Sequence, residues 1–270
     1  MTASPRSYLF VPGHRPDRFD KALAAGADAV ILDLEDAVPA AEKGAAREAV
    51  TRWLHMRETG PSPQILVRIN AASTPQHEAD VSACRHGVHG VILPKSEQVA
   101  DLTHLAQALP GLALLPLIET ALGFAAAPDL ARAPKVQRLV FGSIDFQLDL
   151  GIDGEGEELL YFRSQLVLHS RLAGLAAPVD GVSTVLDNAA QVHAEALRAR
   201  RLGFGAKLCI HPKQIAPVHE AFAPTAAQLD WARRVLAAAE AAGGAAVALD
   251  GAMVDRPVIL RAQALLAQAH

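Results

Sequence analysis

The sequence predicts an α/β protein: a closed (β/α)8 barrel, the TIM-barrel architecture, carrying a C-terminal helical extension. Three observations carry that prediction. Eight short runs rich in Val, Leu and Ile recur along the 270 residues, and they tend to end on polar residues, as parallel strands do when both faces are covered. A helical segment follows each run at loosely regular spacing, and eight βα units in this length favour a closed barrel over a flat sheet. No GxGxxG follows the first run, which argues against a dinucleotide-binding sheet.

Hydrophobic residues make up 51% of the chain and aromatics only 4%, so the core has to be aliphatic. In order, residues 8–13 read as a first strand broken by Pro12-Gly13, followed by a helix over 14–25 that Gly26 stops. Residues 29–34 form the second strand, ending at Glu35-Asp36, and an alanine-rich helix covers 40–56 before the break at Gly60, Pro61 and Pro63. Residues 65–70 are the third strand, a helix lies near 76–86, and 90–95 are the fourth strand. Residues 114–120 and 138–145 are the fifth and sixth, apolar runs that end on Glu119 and Asp145. The connection 147–163 carries Gly151, Gly154 and Gly156 among acidic residues; it reads as a mobile acidic loop, either a lid or a plain solvated connection. A helix over 166–172, a seventh strand over 177–182, a helix ending at Gly203 and an eighth strand over 206–212 complete the series.

The barrel is therefore expected over 1–222 and the extension over 223–270. The extension reads as a helix over 226–242, a break at Gly243-Gly244, a turn or short hairpin at 247–251, and a last helix from Met253 to near Ala267. A tail this apolar is expected to pack on its own barrel or on another subunit, where it can lend a residue to a neighbouring site.

In such a barrel, chemistry belongs at the C-terminal strand ends. Those ends supply Arg15, then Glu35 and Asp36, Arg68, Lys95, Glu119, Asp145 and His211. Glu119 and Asp145 side by side leave room for a hard cation, and two carboxylates without a nearby His or Cys ligand suit Mg2+ before Zn2+. The alternative is that each carboxylate caps the helix after its strand. Arg68, between Val67 and Ile69, is costly to bury unpaired. It either sits in an ion pair with one of the carboxylates or forms a fixed fork for a substrate carboxylate. Lys95 and Lys207 suit a Schiff base in principle, but a metal route is more economical, and Lys95 is expected to pair with a neighbouring acid.

Other classes find little support. HExxH, P-loop and GxSxG motifs are absent, and a net charge of -4 gives no basic field for nucleic acid. No apolar run approaches membrane-spanning length, and Met1 to Arg6 lack the core of a signal peptide. Cys84 and Cys209 lie far apart without CxxC spacing, as buried thiols in a reducing compartment do. The expectation is a soluble, cytoplasmic protein.

The motifs Arg6-Ser7-Tyr8-Leu9-Phe10-Val11-Pro12-Gly13, Leu32-Asp33-Leu34-Glu35-Asp36-Ala37-Val38 with Lys43, and Val67-Arg68-Ile69-Asn70 closely resemble the citrate lyase β-subunit group of the HpcH/HpaI aldolase superfamily. Leu93-Pro94-Lys95, Ile118-Glu119-Thr120, Phe141-Gly142, Asp145-Phe146 and Asp149-Leu150-Gly151 continue the match. So do Gly205-Ala206-Lys207, Ile210-His211-Pro212-Lys213-Gln214 and Met253-Val254-Asp255, in order over nearly the whole chain.

The resemblance implies a (β/α)8 barrel binding Mg2+ through Glu119 and Asp145, with Arg68 gripping a keto-acid carboxylate. It implies cleavage or condensation of 3-hydroxy-acyl thioesters: citryl, malyl or citramalyl thioesters give an acetyl thioester plus oxaloacetate, glyoxylate or pyruvate. The thioester is carried by coenzyme A or by an acyl-carrier protein. The resemblance further implies a homo-oligomer, commonly a trimer, whose tail reaches the adjacent barrel so that Asp255 acts as acid/base in the neighbour's site. Glu35, Asp36, Arg15 and Lys95 are expected to orient metal waters, substrate or the thioester arm. Where many relatives carry a glutamate immediately before the metal-binding aspartate, this chain has Ile144. Three other readings stay open: a metal-dependent pyruvate aldolase on free hydroxy-keto acids, a thioesterase of the malyl-CoA type, and a non-catalytic subunit of a complex.

Overall fold

The computed structural model describes residues 4–57, 63–243 and 246–268; the break expected at Gly60-Pro61 and the residue Gly244 lie outside these. Eight parallel strands close on themselves in chain order. They are β1 (Ser7–Pro12), β2 (Ala29–Asp33), β3 (Gln64–Arg68), β4 (Gly90–Leu93), β5 (Ala113–Ile118), β6 (Val140–Phe141), β7 (Val179–Asp180) and β8 (Ala206–Cys209). Closure comes from β8 pairing with β1, Leu208 opposite Tyr8. The intervening helices are α1 (Phe19–Leu23), α2 (Lys43–Met56), α3 (His77–Ala83), α4 (Val99–Ala108), α5 (Ala121–Leu130), α6 (Ser143–Leu150), α7 (Leu160–Leu172) and α8 (Ala189–Leu202), with α9 (Ile215–Phe222) after β8.

Alternate residues of the strands form one core to which every strand contributes. It runs through Tyr8, Ala29, Ile31, Leu66, Ile92, Leu115, Leu117, Val140, Val179, Ala206 and Leu208. Small and branched side chains fill the barrel, which is why so few aromatics suffice. The strand residues between them, such as Val30 and Leu32 of β2, are equally buried, so both strand faces are covered and the sequence shows continuous apolar runs.

Two expectations change. The run 138–145 is not one strand: β6 holds only Val140–Phe141, and the chain turns at Gly142 into α6. Arg138 leaves the ladder to bind the Ala177 and Pro5 carbonyls. The connection 147–163 is also not a free acidic loop. The second half of α6 lies there, and Gly151 ends that helix in the left-handed region that suits glycine. Beyond it, Glu155 is tied to buried Arg163 at 2.8 Å, and the Gln147 amide donates to the Gly154 carbonyl at 2.8 Å. Arg163 also binds Asp180 at 2.8 Å, and Lys207 meets the other Asp180 oxygen at 3.1 Å. This network lies in the barrel wall, with Asp180 and Lys207 wholly buried. Burial works against the Asp180 charge, yet Lys207 and Arg163 lower its pKa. Lys207 is thus a structural partner, not a candidate for Schiff-base chemistry.

Cys84 and Cys209 are free and buried, and burial raises both thiol pKa values, Cys209 to about 12. Among the described residues no helix is long and apolar enough to cross a membrane.

The chain divides into two compact units, Ser4–His219 and the unit holding Glu220–His270, so the division falls inside α9 and not after it. The second unit contains α10 (Ala226–Ala241), a hairpin of β9 (Val247–Leu249) and β10 (Ala252–Val254), and α11 (Arg256–Ala267). Asp250 and Gly251, both at positive φ, make its two-residue turn. Ala232, Val235, Ala239, Val254 and Ala262 form this unit's core. The last helix begins later than expected because Met253 belongs to the hairpin and Asp255 caps α11.

Candidate active site

The polar centre begins with an in-register pair across β2 and β3, Asp33 opposite Arg68. Asp33 is fully buried. Its carboxylate accepts Arg68 Nε at 2.7 Å and Nη2 at 2.6 Å. It also accepts the backbone N–H groups of Glu35 at 2.9 Å and Ala37 at 3.1 Å. A bidentate pair of this kind fixes the guanidinium plane. Phe10 lies under that plane, 4.8 Å from the guanidinium carbon. Both sequence readings of Arg68 bear on this arrangement. Its Nε edge is closed on a carboxylate that sequence reasoning passed over. Nη1 stands 2.9 Å from Glu35 and 3.9 Å from Asp36. Burial opposes the Arg68 charge, but Asp33 and the nearby Glu35 and Glu119 outweigh it and raise its pKa.

Glu35, just past β2, is buried, while Asp36 is exposed. Lys43 pins this turn by donating to the Leu34 and Glu35 carbonyls at 3.0 and 2.8 Å. The Lys95 ammonium donates to Glu35 Oε1 at 3.3 Å, the acid pairing expected of it. Lys95 itself stands in the left-handed region at φ 46, an uncommon conformation for a side-chain-bearing residue and one that clusters at functional sites. That conformation accompanies a backbone N–H donated to Glu119 Oε1 at 2.8 Å.

Glu119 follows β5 directly, and Asp145 occupies the first turn of α6, half-buried. The pairing of Ile118 with Phe141 brings the two segments together. Burial, then the Glu35 carboxylate, pushes the Glu119 carboxyl up to about 8, against the Lys95 N–H; Asp145 adds to the rise. Burial and the neighbouring acids Asp36 and Asp33 raise Glu35 as well, against Arg68 and Lys95. Glu35 Oε2 is buried and stands 2.9 Å from Arg68 Nη1 as an ion pair, without a hydrogen bond aligned on it.

This is an oxygen-only donor set that is short of positive charge, and it fits a hard divalent cation. Among the described residues no group of three or more His, Cys, Asp and Glu side chains is disposed to hold a metal. An ion on Glu119 and Asp145 would therefore take its other ligands from water or substrate. Gly142 is part of this arrangement. A Cβ added there would stand 2.6 Å from the Glu119 Cβ and 2.7 Å from its Oε2. Gly142→Ala is accordingly expected to displace the carboxylate and weaken Mg2+ binding by about 10- to 100-fold, measured by calorimetric titration.

The other expected residues lie elsewhere. Arg15 closes on Asp17 through two hydrogen bonds of 2.9 and 2.8 Å at the surface. His211 accepts the Lys213 N–H and caps the turn after β8. Asp255 belongs to the second unit, where it accepts the Val258 N–H at 3.3 Å as a helix cap. Ile144 is partly exposed beside Asp145.

The family model for HpcH/HpaI aldolase/citrate lyase matches residues 6–212. The chain belongs to this family. Among members of the HpcH/HpaI family, a citrate lyase subunit beta-like protein of Deinococcus radiodurans is 41% identical, with 98% of this chain and 99% of the relative covered. A (3S)-malyl-CoA thioesterase of Cereibacter sphaeroides is 33% identical, with 98% and 94% covered. Protein CitE from Mycobacterium tuberculosis, solved in complex with magnesium, acetoacetate and coenzyme A, superposes with a TM-score of 0.87 at 36% identity, covering 100% of this chain and 99% of that one.

Proposed function

We propose that the chain is a Mg2+-dependent carbon–carbon lyase of the citrate lyase β-subunit type. It would cleave a 3-hydroxy-acyl thioester such as citryl-, malyl- or citramalyl-CoA to an acetyl thioester and an α-keto acid such as oxaloacetate. The observation that carries this reading is the buried Glu119 carboxyl, pushed up to about 8 by burial and by the nearby Glu35 and Asp145, next to an Arg68 guanidinium fixed against Asp33. The magnesium, acetoacetate and coenzyme A held by the M. tuberculosis relative support it.

Bound at Glu119 and Asp145, Mg2+ would supply a Lewis acid that steadies negative charge on the hydroxyl or keto oxygen. Asp33 holds the Arg68 guanidinium plane rigid through Nε and Nη2, so Nη1, which stands beside Glu35, is presented to a substrate carboxylate in a fixed direction. Lys95 keeps Glu35 in place beside that group. Asp36, exposed just beyond Glu35, is assigned to the thioester arm, as is Arg15 on the strength of the family resemblance. The hydroxyl proton needs a base, and Asp255 from a second copy of the chain is proposed for it on the strength of the family resemblance, within a homotrimer.

The test is a purified-protein assay of citryl-, malyl- and citramalyl-CoA, with Mg2+ and with EDTA. The lyase reading expects acetyl-CoA and a keto acid in equal amounts, lost on chelation. The C. sphaeroides relative gives a second reading, thioester hydrolysis, which would release free coenzyme A with no keto acid.

The Glu119 carboxyl adds a pH prediction. Folded, it binds its proton more tightly than the unfolded chain does, so in metal-free protein this group's contribution to stability falls as pH rises from about 4.5 to about 8. Mg2+ must displace that proton. Its affinity is therefore expected to rise about tenfold per pH unit up to pH 8 and then level off, measured by calorimetry.

A further inference from the structure

Asp149 stands four residues after Asp145 on α6, one helical turn on and on the same side. Its Oδ2 accepts the backbone N–H of Ala121 at 2.7 Å. Ala121 is the first residue of α5 and lies two residues past Glu119. The intervening Thr120 is held on both sides: its hydroxyl donates to Glu97 at 2.8 Å and accepts the Gly123 N–H at 3.0 Å. Glu119 and Asp145 are thus joined by a short closed circuit: Glu119 to Ala121 along the chain, Ala121 to Asp149 by a hydrogen bond, and Asp149 back to Asp145 along α6.

We propose that Asp149 is a positioning residue that sets the separation of Glu119 and Asp145 by clamping the start of α5 to α6; this rests on the reading of those two carboxylates as the metal pair. A cation bridging two segments is sensitive to their spacing, and Mg2+ in particular tolerates little departure from octahedral geometry. Without the clamp, the start of α6 stays tied to the Glu119 segment by the β5–β6 pairing and the Gly142 N–H donated to the Ile118 carbonyl at 2.9 Å, while the rest of the helix depends on side-chain packing. A helix cap alone would steady α5 and leave the metal unaffected, so metal affinity separates the two roles.

Three variants isolate the hydrogen bond from the charge. Asp149→Ala removes both. Asp149→Asn keeps an acceptor oxygen and removes the charge. Ala121→Pro keeps the charge and removes the donor. Proline is tolerated at the first helical position, and Thr120, extended at φ -136 and ψ 158, suits a residue before proline, so this variant is expected to fold. Calorimetric titration of each protein with Mg2+, alongside Glu119→Ala and with a thermal melt of each, tests the proposal. Asp149→Ala and Ala121→Pro are expected to bind about tenfold more weakly, and Asp149→Asn within about twofold of the parent. Parent-like binding by Ala121→Pro or Asp149→Ala, with Glu119→Ala binding none, overturns the clamp. Parent-like binding by Glu119→Ala overturns the metal-site reading itself.

Discussion

Glu119→Ala is expected to reduce kcat at saturating Mg2+ by at least about 1,000-fold, because a metal's stabilisation of developing charge amounts to several kcal/mol and each 1.4 kcal/mol is a factor of ten. Loss of activity alone would not separate a metal ligand from a residue that holds the fold together. Stability measured in EDTA makes the distinction. Burial, and then the Glu35 carboxylate, push the Glu119 carboxyl up to about 8, so it contributes no favourable charge to the metal-free fold at neutral pH. The variant is therefore expected to melt no lower than the parent without metal, and to lose the stabilisation that Mg2+ gives the parent. An enzyme retaining near-normal turnover would remove Glu119 from the metal pair.

The opposite balance is expected at Asp180. This carboxylate is fully buried between Lys207 at 3.1 Å and Arg163 at 2.8 Å. Asp180→Asn would leave two buried cations facing a neutral amide, a change of the kind that costs about 3–5 kcal/mol. Urea denaturation should show a midpoint lowered accordingly with an unchanged slope. The sign with pH follows from the lowered pKa. Asp180 contributes its stability at and above the ordinary carboxylate range and loses it as pH falls through its depressed folded value. The gap between parent and variant is therefore expected to narrow in acid. An Asp180→Asn protein as stable as the parent at pH 7 would show that the pair of cations is solvated or neutralised in another way.

The two carboxylates differ in how far the sequence betrays them. β2 and β5 are legible because their residues are buried on both faces, so the apolar run is unbroken and its end is sharp. Glu119 stands at such an end. β6 is less legible because α6 begins after one glycine and buries Phe146 in turn, and over so few residues a period of two cannot be told from 3.6. The apolar run therefore puts Asp145 at a strand end, whereas it belongs to a helix start. Asp33 is the instructive omission. It is the last residue of a strand whose neighbours Glu35 and Asp36 are more conspicuous, and its partner Arg68 is 35 residues away. The available signal was a buried arginine at the same register position in the following strand. The Arg15–Asp17 pair, by contrast, is local and could have been read two residues apart. Composition misled at 151–158, where glycines and acids look solvated, because the partner of Glu155 is supplied by α7.

The donors that hold the polar centre have a bearing on how such a site is inherited. Glu119 is held by the main-chain N–H of Lys95, and Asp33 by those of Glu35 and Ala37. A point mutation can change any of these three side chains and still leave the donor in place, proline excepted. The orientation of the two acids is thus written into backbone shape, which drifts more slowly than residue identity. A lineage built on this barrel can exchange the residues lining its rim without first dismantling the donors that hold Glu119 and Asp33.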